Sequence, residues 1–319
     1  MLVALATLLL PILVAGGWLW LQLSPRGGWG DPVTVTIESG WGTSRIADEL
    51  ERAGVIGSAP VFRLWERNSR FATGAYQLHR DMGVLDAAAA MDDRAIPVSV
   101  PEVGVLPGLT LEEVGDRVAT IKRFSKERFL AALSDDSIRS RYQPAGVTSL
   151  RGLLMPDSYP VLPRQTERGL AQEMVRAFDE HGQAVGLDAA AAAQGRTPYE
   201  VITIASMIQR EAELDADRPL IAAVISNRLR NGMPLQIDAT SAYAQQVGDP
   251  SYDTYQVQGL PPTPISTVSA RSLDAAMHPA DAPYLFYVLS DANGKHAFAN
   301  TFEEHQRNVA AAESKGLLP

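Results

Sequence analysis

The chain has 319 residues, with 28 Lys and Arg against 37 Asp and Glu, a formal net charge of −9. That acidic balance argues against a nucleic-acid binder, 46% hydrophobic residues argue against wholesale disorder, and the length suits a membrane element plus about two soluble domains. With no cysteine, disulfides, thiolate metal sites and cysteine nucleophiles are excluded together.

Residues 1–23 read as a transmembrane anchor. No side chain from Met1 to Pro25 is charged, Leu2 to Leu23 is almost wholly apolar, and Trp18 and Trp20 stand near its end, where tryptophan favours a membrane interface. A cleaved signal peptide is the rival, with small residues at Ala15, Gly16 and Gly17, but the apolar run continues past them. Residues 24–32 are turn formers and read as a linker.

Residues 33–96 read as a small α+β module. Val33, Val35 and Ile37 alternate with Thr34 and Thr36 as a half-buried strand, and Thr43 or Ser44 is placed to cap a helix carrying Ile46, Ala47 and Leu50. A second helix is expected from Pro60 to Asn68, a strand over Gly74 to Leu78, and a further helix from Asp81 to Met91. Residues 97–319 form a larger mixed α+β region. It opens with apolar alternation at Val98 and Val100, then a helix after Thr110, and helices follow at Lys126 to Leu133, Glu167 to His181 and Asp188 to Ala193.

Thr197, Pro198, Tyr199, Glu200 is a capping box with proline at the first helical position. In the helix it opens, Val201, Ile204 and Ile208 share one stripe, and Glu211, seven residues after Ile204, returns nearly to the same bearing. A carboxyl held there loses water, which raises its pKa toward that of a general acid. The alternative is an ordinary surface glutamate beside Arg210. Asp217 caps a following helix that stops at Asn231 and Gly232, leaving Asn227 and Arg228 near its last turn, either for ligand contact or for helix termination. Asn293-Gly294 marks a hairpin that sets His296 and Phe298 against Tyr284 to Leu289, with His296 either facing a cleft or an ordinary polar residue. The other histidines show no zinc-ligand spacing and no glycine loop cradles phosphate, so neither metal nor cofactor is expected.

The words Ala205 to Glu211, Ser226 to Leu229 and Gly232 to Thr240, then Thr254-Tyr255, Gly259 to Ile265, His278-Pro279, Tyr284 to Val288, Gly294 to Phe298 and His305, with Gly152 to Pro160 upstream, follow an ordered pattern. In order and spacing the chain resembles the endolytic murein transglycosylases of the YceG-like family. The resemblance is strong from Gly152 to His305 and looser back to Val33. It implies a membrane anchor, a LysM-like glycan-binding module over residues 33–96 and a catalytic domain over residues 97–319, with the catalytic glutamate on Glu211. The implied reaction cleaves the β-1,4 bond between N-acetylmuramic acid and N-acetylglucosamine, leaving a 1,6-anhydromuramoyl end without consuming water. Glu211 acts in it as general acid and then as base.

Substrate contacts are expected from Ser206, Gln209, Asn227, Gln236, Asp238, Tyr243, Tyr255 and His296, with Gln236, Asp238, Thr240 and Tyr243 on a loop beside the glutamate. The proline-rich segment Gly259 to Pro264 is expected to form a rigid cleft wall. Implied partners are nascent peptidoglycan strands, penicillin-binding synthases and other wall-elongation or division proteins, at the cell membrane with the catalytic region outside. Three positions depart from the family pattern: Gln209 and Arg151, where acidic residues are common, and Asp253, where asparagine is usual. A water-using muramidase would need a second carboxylate, for which Asp238 is the best candidate. A catalytically silent glycan-binding or scaffold protein would need no Glu211.

Overall fold

The computed structural model describes residues 30–38, 40–66, 71–92, 101–161 and 165–318. The expected anchor, most of the linker, and Val98 and Val100 lie outside them; among the described residues no helix is long and apolar enough to cross a membrane. The fold is mixed α+β, and the described residues form two compact units.

The first unit holds the described residues through Pro101, with Pro160 and Val161. Strand β1 (Pro32–Ile37) pairs antiparallel with β2 (Gly74–His79), setting Val35 opposite Tyr76. The period-2 pattern works as read, because Val35 and Ile37 are buried while Thr34 faces solvent. Between the strands run α1 (Thr43–Arg52) and α2 (Ala59–Trp65), and α3 (Val84–Asp92) follows. Ile46, Leu50, Phe62, Tyr76, Leu78 and Val84 meet in one core, each large apolar side chain contributing about 1.5–3 kcal/mol on burial.

Two helix boundaries differ from the sequence pattern. The cap of α1 is Gly42, with no side-chain cap, in place of Thr43 or Ser44. The helix expected from Asp81 starts at Val84, because Asp81 has φ +59°, a left-handed conformation that a right-handed helix does not admit.

The second unit runs from Glu102 to Tyr159 and from Gln165 onward. Strands β3 (Glu102–Gly104) and β4 (Ser158–Pro160) pair, and helices α4 (Leu111–Val118) and α5 (Lys126–Leu133) are capped by Thr110 and Ser125. After α6 (Glu167–Ala184) and α7 (Leu187–Ala193) comes α8 (Pro198–Glu211), whose capping box forms as read. Thr197 Oγ1 accepts from the Glu200 N–H at 3.2 Å, and the Glu200 carboxylate accepts from the Thr197 N–H at 2.7 Å.

Helix α8 is the centre of this unit. Tyr199 and all residues from Val201 to Ile208 are buried, enclosed by α7, α9 (Arg218–Arg230), α10 (Asp238–Val247) and α11 (Ala270–Met277). A helix buried over its whole middle has no single apolar stripe there, so its charged side chains, Glu200, Arg210 and Glu211, stand in its first and last turns. The segment Gly259 to Val268 wraps it. Ser206 Oγ accepts from the Ile265 N–H at 3.1 Å, and Ser266 Oγ donates to the Ser206 carbonyl. An antiparallel hairpin, β5 (Phe286–Leu289) and β6 (His296–Ala299), precedes α12 (Phe302–Ser314). Its turn contains Gly294 at φ +81°, as the Asn-Gly signal implies.

Candidate active site

Glu211 ends α8, where the chain turns into an extended Ala212. Its Oε1 accepts from the Ala239 N–H at 3.2 Å, and its Oε2 accepts from the Tyr287 hydroxyl at 3.1 Å. Burial pushes the Glu211 carboxyl above its usual range, and the negative charge of Asp238 pushes the same way. The two hydrogen bonds and His296 oppose that push without reversing it. Arg210 takes no part, because its guanidinium donates to the Gly108 carbonyl.

The hairpin supplies one side of this group. Tyr287 pairs with Phe298, so Tyr287, His296 and Phe298 project from the same face, with Tyr287 diagonal to His296. The rings of Tyr287 and His296 meet edge to face at 5.4 Å. Loss of water and the Glu211 carboxylate both push the Tyr287 hydroxyl far above the usual phenol range, so it remains a donor. On the opposite face, Phe286 stacks on His305 at 5.1 Å and lies under the Arg228 guanidinium.

The start of α10 supplies the other side. Asp238 is exposed, and its Oδ1 accepts from the Tyr255 hydroxyl at 2.7 Å. Tyr255 is 51% exposed, and burial of its hydroxyl together with this bond pushes it up to about 12. Asp253 holds the base of that arm, its Oδ1 accepting from the Ser241 hydroxyl and the Tyr255 N–H. Gln236 has φ +52° just before α10, and its side chain accepts from Arg228. Buried Arg228 also donates to the carbonyls of Pro234, Leu235 and Leu285, tying this loop to β5.

Glu211, Asp238, Tyr255 and His296 therefore converge, with Gln236 in the adjoining loop. Four other expected contacts have different tasks. Ser206 is 0% exposed, its hydroxyl donating to the Thr203 carbonyl and accepting from Ile265, so it fastens the wrapping segment. Gln209 Oε1 accepts from the Ser269 N–H and from the Ser269 and Ser272 hydroxyls, pinning the start of α11. Asn227 donates to the carbonyls of Ala282 and Tyr284, holding the approach to the hairpin. Tyr243 is buried edge-on against Tyr252, with ring centroids 4.9 Å apart.

The expected loop holding Asp238, Thr240 and Tyr243 is instead the helix α10. In the expected cleft wall from Gly259 to Pro264, Pro261, Thr263 and Pro264 are buried while Pro262 is exposed.

Sequence reasoning passed over Tyr287 and Asp217 as site residues. The hairpin register, readable from Asn293-Gly294, puts Tyr287 on the His296 face, and that signal was present. Asp217 reads as a helix cap, but its side chain caps nothing in α9; its Oδ2 accepts from the His296 N–H at 2.8 Å and from Nδ1 at 2.9 Å. Among the described residues no group of three or more His, Cys, Asp or Glu is placed to hold a metal ion.

The arrangement is a half-buried acid beside a second carboxylate, a phenol and a histidine, a combination suited to proton transfer on a polar, uncharged substrate. Comparison with known proteins agrees in fold and sequence. The endolytic murein transglycosylase of Bacillus subtilis (strain 168) is 29% identical over 304 residues, covering 86% of this chain and 83% of its own length. That of Streptococcus pneumoniae serotype 2 is 27% identical over 325 residues, and the match takes in 58% of its length. The crystal structure of a YceG-like protein from Listeria monocytogenes superposes with a TM-score of 0.59 at 27% identity, covering 86% of this chain and 98% of that one. The profile of the YceG-like family matches residues 35–311, so most of the described chain falls within it. The chain belongs to the YceG-like family.

Proposed function

We propose that this chain is a lytic transglycosylase that cleaves peptidoglycan strands internally, with Glu211 as the proton donor. The observation carrying this reading is the Glu211 carboxyl, raised by burial and held between Ala239, Tyr287 and the Asp238–Tyr255 pair. A neutral carboxyl at working pH protonates the glycosidic oxygen as the bond from muramoyl C1 breaks. The muramoyl 6-hydroxyl closes on C1, and its proton is recovered by the Glu211 carboxylate. The product is a 1,6-anhydromuramoyl end, and no water is consumed. Relatives named endolytic murein transglycosylases support the substrate class.

The expected anchor at residues 1–23 would hold the enzyme on the cell membrane with its catalytic region outside. The module over residues 33–96 would serve as a LysM-like glycan contact, and penicillin-binding synthases would supply nascent strands. Asp238 is the carboxylate on which a water-using muramidase would depend, so the products decide between the two. Wild type and Glu211→Gln are incubated with uncrosslinked strands and the ends read by mass spectrometry. Anhydromuramoyl ends from wild type, with kcat lower by on the order of 10²–10⁴-fold in the variant, are expected. Reducing ends would mean a hydrolase, and intact strands in both samples would mean a binding protein.

A further inference from the structure

A scheme in which Glu211 alone moves both protons leaves the Asp217–His296 pair idle, although it is a buried polar contact beside the acid. The Asp217 and His296 side chains are only 6% and 9% exposed. Asp217 stands at the cap position of α9 but gives that helix no side-chain hydrogen bond. Its carboxylate oxygen is committed to both the backbone N–H and Nδ1 of His296. A carboxylate only accepts, so Nδ1 carries a proton, and in the neutral tautomer that this hydrogen bond selects the lone pair is on Nε2.

Among the described residues Nε2 makes no hydrogen bond, and it is not one of the fully buried polar atoms that lack a partner. The ring carrying it packs against Tyr287, whose hydroxyl is on Glu211. The ionised Glu211 carboxylate, in turn, already accepts one hydrogen bond on each oxygen.

We propose that His296 is a second catalytic group, whose Nε2 takes the proton of the muramoyl 6-hydroxyl, and that Asp217 is the residue positioning it. This rests on the transglycosylase reading above and specifies the route by which Glu211 regains its proton. The O6–H bond gives its proton to Nε2 and O6 forms the bond to C1. The C1–O4 bond breaks with its electron pair on O4, and O4 takes the proton of Glu211. The resulting imidazolium is paired with Asp217, as a base oriented by a buried carboxylate requires. Its proton then returns to the Glu211 carboxylate, restoring both groups with no other reactant.

The test uses the full chain and counts anhydromuramoyl ends from uncrosslinked strands. His296→Gln preserves a donor to Asp217 but has no basic nitrogen. It is expected to lose kcat by on the order of 10²–10⁴-fold with KM little changed. Asp217→Asn is expected to lower kcat in the same sense, and added imidazole should restore part of the turnover of His296→Gly but none of Glu211→Gln. A His296→Gln protein with the wild-type near-UV circular dichroism and the wild-type kcat would overturn the proposal, as would one in which only KM rises. If either substitution perturbs folding, imidazole decides: rescue of His296→Gly supports the base, and its failure removes it. A wild type that yields no anhydromuramoyl ends would instead overturn the transglycosylase reading, and this assignment with it.

Discussion

Gly152 offers a test of how tightly the wrapping segment is seated. It has φ +73°, and a Cβ placed there would lie 2.4 Å from Pro264 Cβ, 2.8 Å from its Cγ and 3.3 Å from the Ser266 carbonyl oxygen. Gly152→Ala therefore incurs two costs. A left-handed backbone costs an L-residue about 1–2 kcal/mol. Overpacking against a buried proline, whose ring cannot rotate away, adds about 1–3 kcal/mol, for a total of about 2–5 kcal/mol. In urea, with a slope of about 2 kcal/mol per molar, the midpoint of the far-UV circular dichroism transition should fall by about 1–2.5 M.

All five tryptophans lie at or before Trp65, so their emission reports the N-terminal part of the chain separately. In a Pro264→Gly background, Gly152→Ala should keep mainly its backbone share, about 1–2 kcal/mol. A loss below about 0.5 kcal/mol in the wild-type background would refute the reasoning, because it would show that the Pro264 segment yields freely.

Ser206→Ala strands the buried Ile265 N–H, so it should lower stability by about 1–3 kcal/mol while leaving KM for glycan strands unchanged. A raised KM at full stability would return Ser206 to the binding site. The Glu211 carboxyl is raised above its ordinary 4.5, so the folded chain binds the extra proton. The associated stability is complete below the unfolded carboxyl pKa and is lost as pH rises through the folded value. The melting temperature of Glu211→Gln minus that of wild type should accordingly grow with pH across that window, and wild-type turnover should decline over the same rise. A difference independent of pH would contradict the assigned direction. At Gly294, φ is +81° and a Cβ would sit 2.7 Å from Glu213 Cβ, so Gly294→Ala should displace the hairpin that carries Tyr287 and His296. Turnover should fall more than substrate binding, and unchanged kcat would show that the hairpin tolerates the shift.

Sequence spacing alone determined many of the elements, because the interactions that set them are local, but it read the start of α10 as a loop. Thr197 and Glu200 cap α8 across three residues, Asn293-Gly294 turns the hairpin, and Val35 and Ile37 alternate into the first core. It also singled out Glu211, which returns to the bearing of Val201, Ile204 and Ile208 on the apolar stripe of α8. Which polar groups join Glu211 was a tertiary decision. Its partner Ala239 lies 28 residues away and Tyr287 76 residues away, while Asp217 meets His296 across 79 residues. Helical periodicity does not separate Ser206, which is sealed in the core, from Gln209, which pins α11, once α8 is buried on every side. Nor does a cap motif reveal that Asp217 will spend its carboxylate on a strand. Local hydrogen bonds and side-chain parity fix elements within a few residues of themselves, whereas the facing of a buried polar side chain is set by whichever distant donor or acceptor the packed fold brings to it.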